Sequence, residues 1–198
     1  TLMAHSTMSL VVSLVGLFGW KADIPDDMSS RPELQRAVYI LAPHTSFWDF
    51  FIGLACVKKM GIKAHIFIKK EFFNWFTSPF LRRWGGIALD RGITKNNLVG
   101  KAVDIFAKEQ RFVTIICPEG TRKPVKRWKH GFYEIAQQAH VPVVCTYIDY
   151  RTKRMGVGPS YVPTGDYQQD MLRYMAFYQD KTGRHPEKFN KQANGYSN

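Results

Sequence analysis

The sequence predicts an α/β fold, a layered sandwich with a mostly parallel or mixed central sheet flanked by helices. Three observations carry that prediction. Short continuous apolar runs such as AVYILA (37–42) have the length and composition of strands buried on both faces. They alternate along the chain with segments of helical period. And 198 residues, 45% of them hydrophobic, are most simply one domain able to bury a sizeable core.

Each element has its own reason. Met8–Trp20 is a strongly apolar stretch, too short for the ~20 residues that cross a bilayer. It fits a core helix and a helix lying in the membrane interface equally well. No Lys or Arg precedes it, so a signal peptide fits poorly. Residues 1–30 are therefore set apart as an N-terminal apolar segment, and 31–198 as a single α/β domain.

Ala37–Ala42 is a strand ended by Pro43, and Phe47–Met60 a helix stopped by Gly61. Lys63–Lys69 alternates and reads as a strand. Lys70–Gly86 holds one or two short helices broken at Ser78-Pro79, crowded with aromatics and basic residues. Ile87–Gly92 is a short strand ending in a charged turn. Asn96–Gln110 is helical, with Leu98, Val99, Ala102, Val103 and Phe106 on one face. Arg111–Arg122 is a buried strand running into a glycine turn, and His130–His140 a helix. Val141–Tyr150 and Arg154–Pro163 form a hairpin, Asp166–Lys181 is a final amphipathic helix, and the tail from Thr182 is polar, a composition open to fraying.

Charge narrows the partners. Lys and Arg number 28 against 16 acids, a net charge of +12 that attracts polyanions: nucleic acid, anionic lipid or phosphorylated substrates. The basic residues gather at strand ends while the strands stay solidly apolar, which does not fit a nucleic-acid-binding module with exposed aromatic platforms. The three cysteines, Cys56, Cys117 and Cys145, are isolated in or beside apolar stretches, as core thiols in a reducing compartment are. None of the six histidines has a His or Cys partner at ligand spacing, which speaks against a structural zinc site.

The chemistry-bearing stretch is HTSFWD (44–49). Five residues apart on one helix, His44 and Asp49 would point about 140° apart at about 100° per residue. They meet only if His44 lies in the loop before the helix and Asp49 in its first turn. Ser46 as N-cap, with Asp49 three residues on, matches a capping box and supplies that arrangement. Two readings follow. Asp49 caps the Ser46 N–H and His44 is incidental, or Asp49 fixes the imidazole so that its other nitrogen acts as a general base.

A second stretch, CPEGTRK (117–123), also ends a buried strand, where ligands gather in open α/β sheets. Gly120 permits a tight turn, Thr121 offers a hydroxyl and Arg122 a fork suited to phosphate. Lys69-Lys70, Asp90-Arg91 and Arg127/Lys129/His130 add three more basic turns, and their shared position predicts a phosphate-binding pocket. A nucleotide phosphate loop and a G-x-S-x-G nucleophile elbow are both lacking. A base without a protein nucleophile points to direct transfer to a substrate hydroxyl.

In order and spacing, the blocks from 37 to 148 resemble the glycerolipid acyltransferase family that includes the 1-acylglycerol-3-phosphate acyltransferases. His44 and Asp49 match its His-x4-Asp motif. Lys70 through Gly86 to Asp90-Arg91 looks like its second motif. Pro118–Arg122 match the Pro-Glu-Gly-Thr-Arg motif, with Cys117 in place of the usual aromatic. Lys129, Gly131 and Val141–Val144 resemble the elements that follow.

The resemblance implies a glycerol-3-phosphate-acyltransferase-like sandwich and an O-acyltransferase of phospholipid biosynthesis. His44 deprotonates a lysolipid hydroxyl, and that oxygen attacks the thioester of acyl-CoA or acyl-carrier protein. Asp49 orients His44. Arg91, Glu119, Gly120, Thr121 and Arg122, with Lys70 and Lys129, bind the acceptor's anionic group. No metal is implied, and no cofactor beyond the co-substrate. The expected partners are a lysolipid, the thioester donor and an anionic membrane surface, and not nucleic acid; the expected location is the cytoplasmic membrane face, peripheral or interfacial. FFNWFTSPFLRRW (72–84) is the candidate bilayer-contacting stretch. An amino-acid-linked lysolipid acceptor is the alternative, and a thioesterase using the same histidine is a rival chemistry.

Overall fold

The computed structural model describes residues 2–28, 30–89 and 95–195. Seven strands form one sheet: β1 (Lys21–Asp23), β2 (Arg36–Ala42), β3 (Ala64–Lys69), β4 (Gly86–Leu89), β5 (Phe112–Ile116), β6 (Val143–Asp149) and β7 (Arg154–Tyr161), in the order β1-β7-β6-β2-β5-β3-β4. Every neighbouring pair is parallel except β6–β7, an antiparallel hairpin. The α/β sandwich is therefore as the sequence predicts. The three-residue β1 is an addition, too short to carry a hydrophobic pattern of its own.

The helices are α1 (Leu2–Leu17), the single turn α2 (Pro32–Gln35), α3 (Trp48–Met60), α4 (Ser78–Arg83), α5 (Lys95–Lys108), α6 (Gly131–Gln138) and α7 (Tyr167–Tyr178). Alternation along β2 sorts them into two layers. Val38, Ile40 and Ala42 face a core with Val99 and Phe106 of α5, Phe132 and Ile135 of α6 and Tyr174 of α7. Ala37 and Tyr39 face the other core, with Val15 of α1 and Ile52, Ala55, Cys56 and Met60 of α3. Each large side chain so buried contributes about 1.5–3 kcal/mol of transfer free energy.

The connections place the site. From β2 the chain crosses by α3 to β3, two positions away, leaving room for β5 between them. From β5 it crosses the opposite face by α6 to β6, on the far side of β2. The crossovers diverge at the carboxyl ends of β2 and β5, and a crevice opens where they part.

The ends of the chain add two findings. Among the described residues no helix is long and apolar enough to cross a membrane. In α1, Val11, Val12 and Val15 pack into the core, while Leu10, Leu14, Leu17 and Phe18 are exposed. The tail from Thr182 is anchored over most of its length. The Thr182 carbonyl accepts from Tyr150 N at 2.8 Å, and His185 N donates to Thr45 Oγ1 at 3.2 Å. Phe189 and Ala193 are buried in the core.

Candidate active site

β2 ends at Ala42, a cis bond leads into Pro43, and His44, Thr45 and Ser46 form the loop before α3. Asp49 lies in the first turn of α3 with its side chain fully buried. Its Oδ2 accepts from the backbone N–H groups of Thr45 and Ser46, each at 2.8 Å. Its Oδ1 accepts from the Tyr150 hydroxyl at 2.7 Å. His44 Nδ1 stands 3.2 Å from Asp49 Oδ2, off the line of a straight hydrogen bond, and its side chain is 23% exposed. The carboxylate caps the loop, and in doing so it is fixed beside the imidazole. The N-cap position of α3 is Phe47 and not Ser46, whose Oγ accepts from Trp48 N at 3.2 Å.

His44 and Asp49 line a cavity of ≈ 1260 Å³ at the divergence of the crossovers. One part is apolar and draws on both layers: Leu41, Val57 and Ile115 from one, Phe67, Ile116, Phe132 and Ile135 from the other. The other part carries Lys69, Arg122 and Lys129, together with His130 and the Gly120–Thr121 turn. A basic dyad, an apolar limb and converging cations in one crevice suit an amphiphilic anion.

The PEGTR turn is built for close approach. Gly120 has φ +65°, and a Cβ there would sit 2.5 Å from Lys129 Cε, so the lysine side chain lies directly across the glycine. Lys129 N donates to Pro118 O at 2.8 Å, and Gly120 N to Cys117 O at 3.0 Å. Thr121 Oγ1 accepts from Lys123 N at 3.3 Å.

Two sequence expectations are revised. Glu119 does not line the cavity: it is 2% exposed, and its Oε1 accepts from His44 N at 2.7 Å. It therefore holds the His44 loop from within. Burial, and secondarily the charge of Asp49, pushes its carboxyl up to about 8. Lys70 does not line the cavity; it lies in a 3₁₀ turn, Lys70–Phe72, and the lining cation is its neighbour Lys69, the last residue of β3. Asp90 and Arg91 lie outside the described residues. Cys117 lines the cavity, but burial pushes its thiol up to about 12, which keeps it from serving as a thiolate nucleophile.

Sequence reading missed Tyr150 and the segment 182–185. Tyr150 lies 101 positions from Asp49, and the strap reaches Thr45 from 140 positions away. No local pattern marks such partners; only the strand order brings them together.

Comparison with known proteins agrees with this geometry. The profile of the Acyltransferase family matches residues 26–149, which contain His44, Asp49 and the PEGTR turn. No curated protein sequence matches the chain. Among solved structures, the fold is similar to the crystal structure of the 1-acyl-sn-glycerophosphate (LPA) acyltransferase PlsC from Thermotoga maritima, at a TM-score of 0.57 and 17% identity, covering 86% of this chain and 75% of that one. The family match takes in β2 through β6 and both halves of the crevice, and on that ground the chain belongs to the Acyltransferase family and is an acyl-transferring enzyme.

Proposed function

We propose that this enzyme moves a fatty acyl group from acyl-CoA or acyl-carrier protein to the free hydroxyl of a lysolipid such as 1-acylglycerol-3-phosphate. The observation that carries the reading is the seat of the His44–Asp49 pair in the cavity where the apolar limb meets the cations. With Nδ1 turned to Asp49, Nε2 takes the hydroxyl proton. The lysolipid oxygen attacks the thioester carbonyl, the C–S bond breaks, and His44 returns the proton to the departing thiolate. The products are the new ester and a free thiol. Arg122 and Lys129, with Lys69 and the Gly120–Thr121 turn, hold the acceptor's anionic headgroup, and the apolar limb takes an acyl chain.

The acceptor is amphiphilic, so the enzyme works at a bilayer, peripherally and at the cytoplasmic face where thioester donors are found. Exposed Phe72, Trp75, Phe76 and Phe80 beside Lys69, Arg82 and Arg83 support an anionic membrane as the surface. Exposed Leu10, Leu14, Leu17 and Phe18 of the N-terminal segment add apolar contact.

The test is thiol release from acyl-CoA and acyl-carrier protein with and without lysolipids, with products identified by mass spectrometry. Release and a diacyl product only when 1-acylglycerol-3-phosphate is present support the reading. Acceptor-independent release makes the protein a thioesterase, and no product from any lysolipid with either donor rejects the assignment. Arg122→Ala should lower kcat/KM at least tenfold more for anionic than for neutral lysolipids, about 1.4 kcal/mol of headgroup-specific binding. Equal losses remove the headgroup clamp.

A further inference from the structure

We infer that Tyr150 is a positioning residue for the reaction, one that acts through Asp49 to keep His44 in its proton-accepting form. The inference rests on the proposed role of His44 as base. Tyr150 follows β6 directly, and its hydroxyl donates to Asp49 Oδ1 at 2.7 Å. The other oxygen, Oδ2, is the one that faces His44, and it is already held by the Thr45 and Ser46 N–H groups at 2.8 Å each. Tyr150 therefore does not set where Oδ2 sits. What it does is add a third donor to a buried carboxylate, on the oxygen that the backbone leaves free.

That has a chemical consequence. A carboxylate with three donors is less basic than one with two, and it stabilises a neighbouring imidazolium less. A weaker pull favours the neutral imidazole, the form that takes a proton from a hydroxyl. Burial first, then Asp49 itself, pushes the Tyr150 phenol well above its usual range, so it remains a donor at any working pH.

Tyr150 is braced on two sides. Trp20 meets its ring edge-on, with centroids 4.9 Å apart at 89°. Its backbone N–H donates to Thr182 O at 2.8 Å, in the strap whose His185 N caps Thr45 Oγ1. Trp20 lies just beyond α1, in the same core as α3, so the N-terminal segment touches Tyr150 through this aromatic contact. The titratable and charged groups around the pair are Glu119 and Cys117 from the end of β5, Lys69 from β3, Arg122, Lys129 and His130 from the following loop, and Arg184 of the strap, which stacks on Trp48. None of these changes in the test.

The test compares full-length wild type with Tyr150→Phe, which keeps the ring and removes only the donor. The His44 imidazole titration, followed by NMR, should move up by about half a unit or more. The acid limb of kcat/KM with acyl-CoA and 1-acylglycerol-3-phosphate should move up by the same amount, so that activity lost at pH 6.5 is recovered at alkaline pH. Trp20→Ala should shift both in the same direction by less, and Trp20→Phe should restore them. An unmoved His44 titration in folded Tyr150→Phe overturns the inference, as does a loss of activity that is uniform across pH. The NMR readout stands without catalysis: a wild type that transfers nothing defeats the proposed function, while the titration still decides the role of Tyr150.

Discussion

Asp49 and His44 sit side by side yet belong to different energetic classes. Asp49 is fully buried and accepts three hydrogen bonds, so its loss strands two backbone donors and a phenol. Asp49→Ala should destabilise the protein by about 3 kcal/mol or more, by denaturant unfolding. His44, 23% exposed, should cost less than about 1 kcal/mol as His44→Ala. Glu119 adds a pH signature. Its carboxyl is raised from 4.5 to about 8, so the native state holds a proton that the unfolded chain releases. The stability this provides is complete below about pH 4.5, falls as pH rises and is gone above about 8. Glu119→Gln should flatten that decline when unfolding is measured at pH 5 and pH 8. An equal decline in both proteins contradicts the assignment.

At the scale of elements, strand ends and their turns make the site. The strands β2, β3 and β5, the helix α3 and the residues His44, Asp49, Gly120 and Arg122 were legible because their signals are local: an apolar run, a proline, a cap and a glycine turn. The inward aim of Glu119 was not legible, because the PEGTR turn has no periodicity that says which way its carboxyl points. Nor was the choice of Lys69 over Lys70, which depends on where β3 ends and a 3₁₀ turn begins. The strap from Thr182 reads as polar tail, yet Gly183 packs so tightly that a Cβ would sit 2.6 Å from Thr45 Oγ1. Gly183→Ala should therefore push the His44 loop, lowering kcat more than tenfold while unfolding shifts by only about 1 kcal/mol. Unchanged kcat separates the strap from the site. Gly120→Ala, with a strained φ and Lys129 across it, should raise KM for the anionic acceptor.

For the whole molecule, doubly wound crossovers gather His44, the basic turns and the apolar lining at one edge of the sheet, and the net charge of +12 is what the proposed contact with an anionic surface rests on. Trp75 is 89% exposed, with Phe76 beside it. Each side chain, if buried in a bilayer interface, contributes at least about 1.5 kcal/mol, roughly tenfold in partitioning. Trp75→Ser should weaken sedimentation with phosphatidylglycerol vesicles by about that factor, with transfer to a short-chain soluble lysolipid unchanged; undiminished vesicle binding places the contact elsewhere. The account as a whole is tested most directly by the rate of ester formation from acyl-CoA and 1-acylglycerol-3-phosphate in His44→Ala against wild type, with thermal unfolding matched. A loss of 10²–10⁴-fold is predicted for removal of a general base, and a rate within twofold of wild type contradicts it.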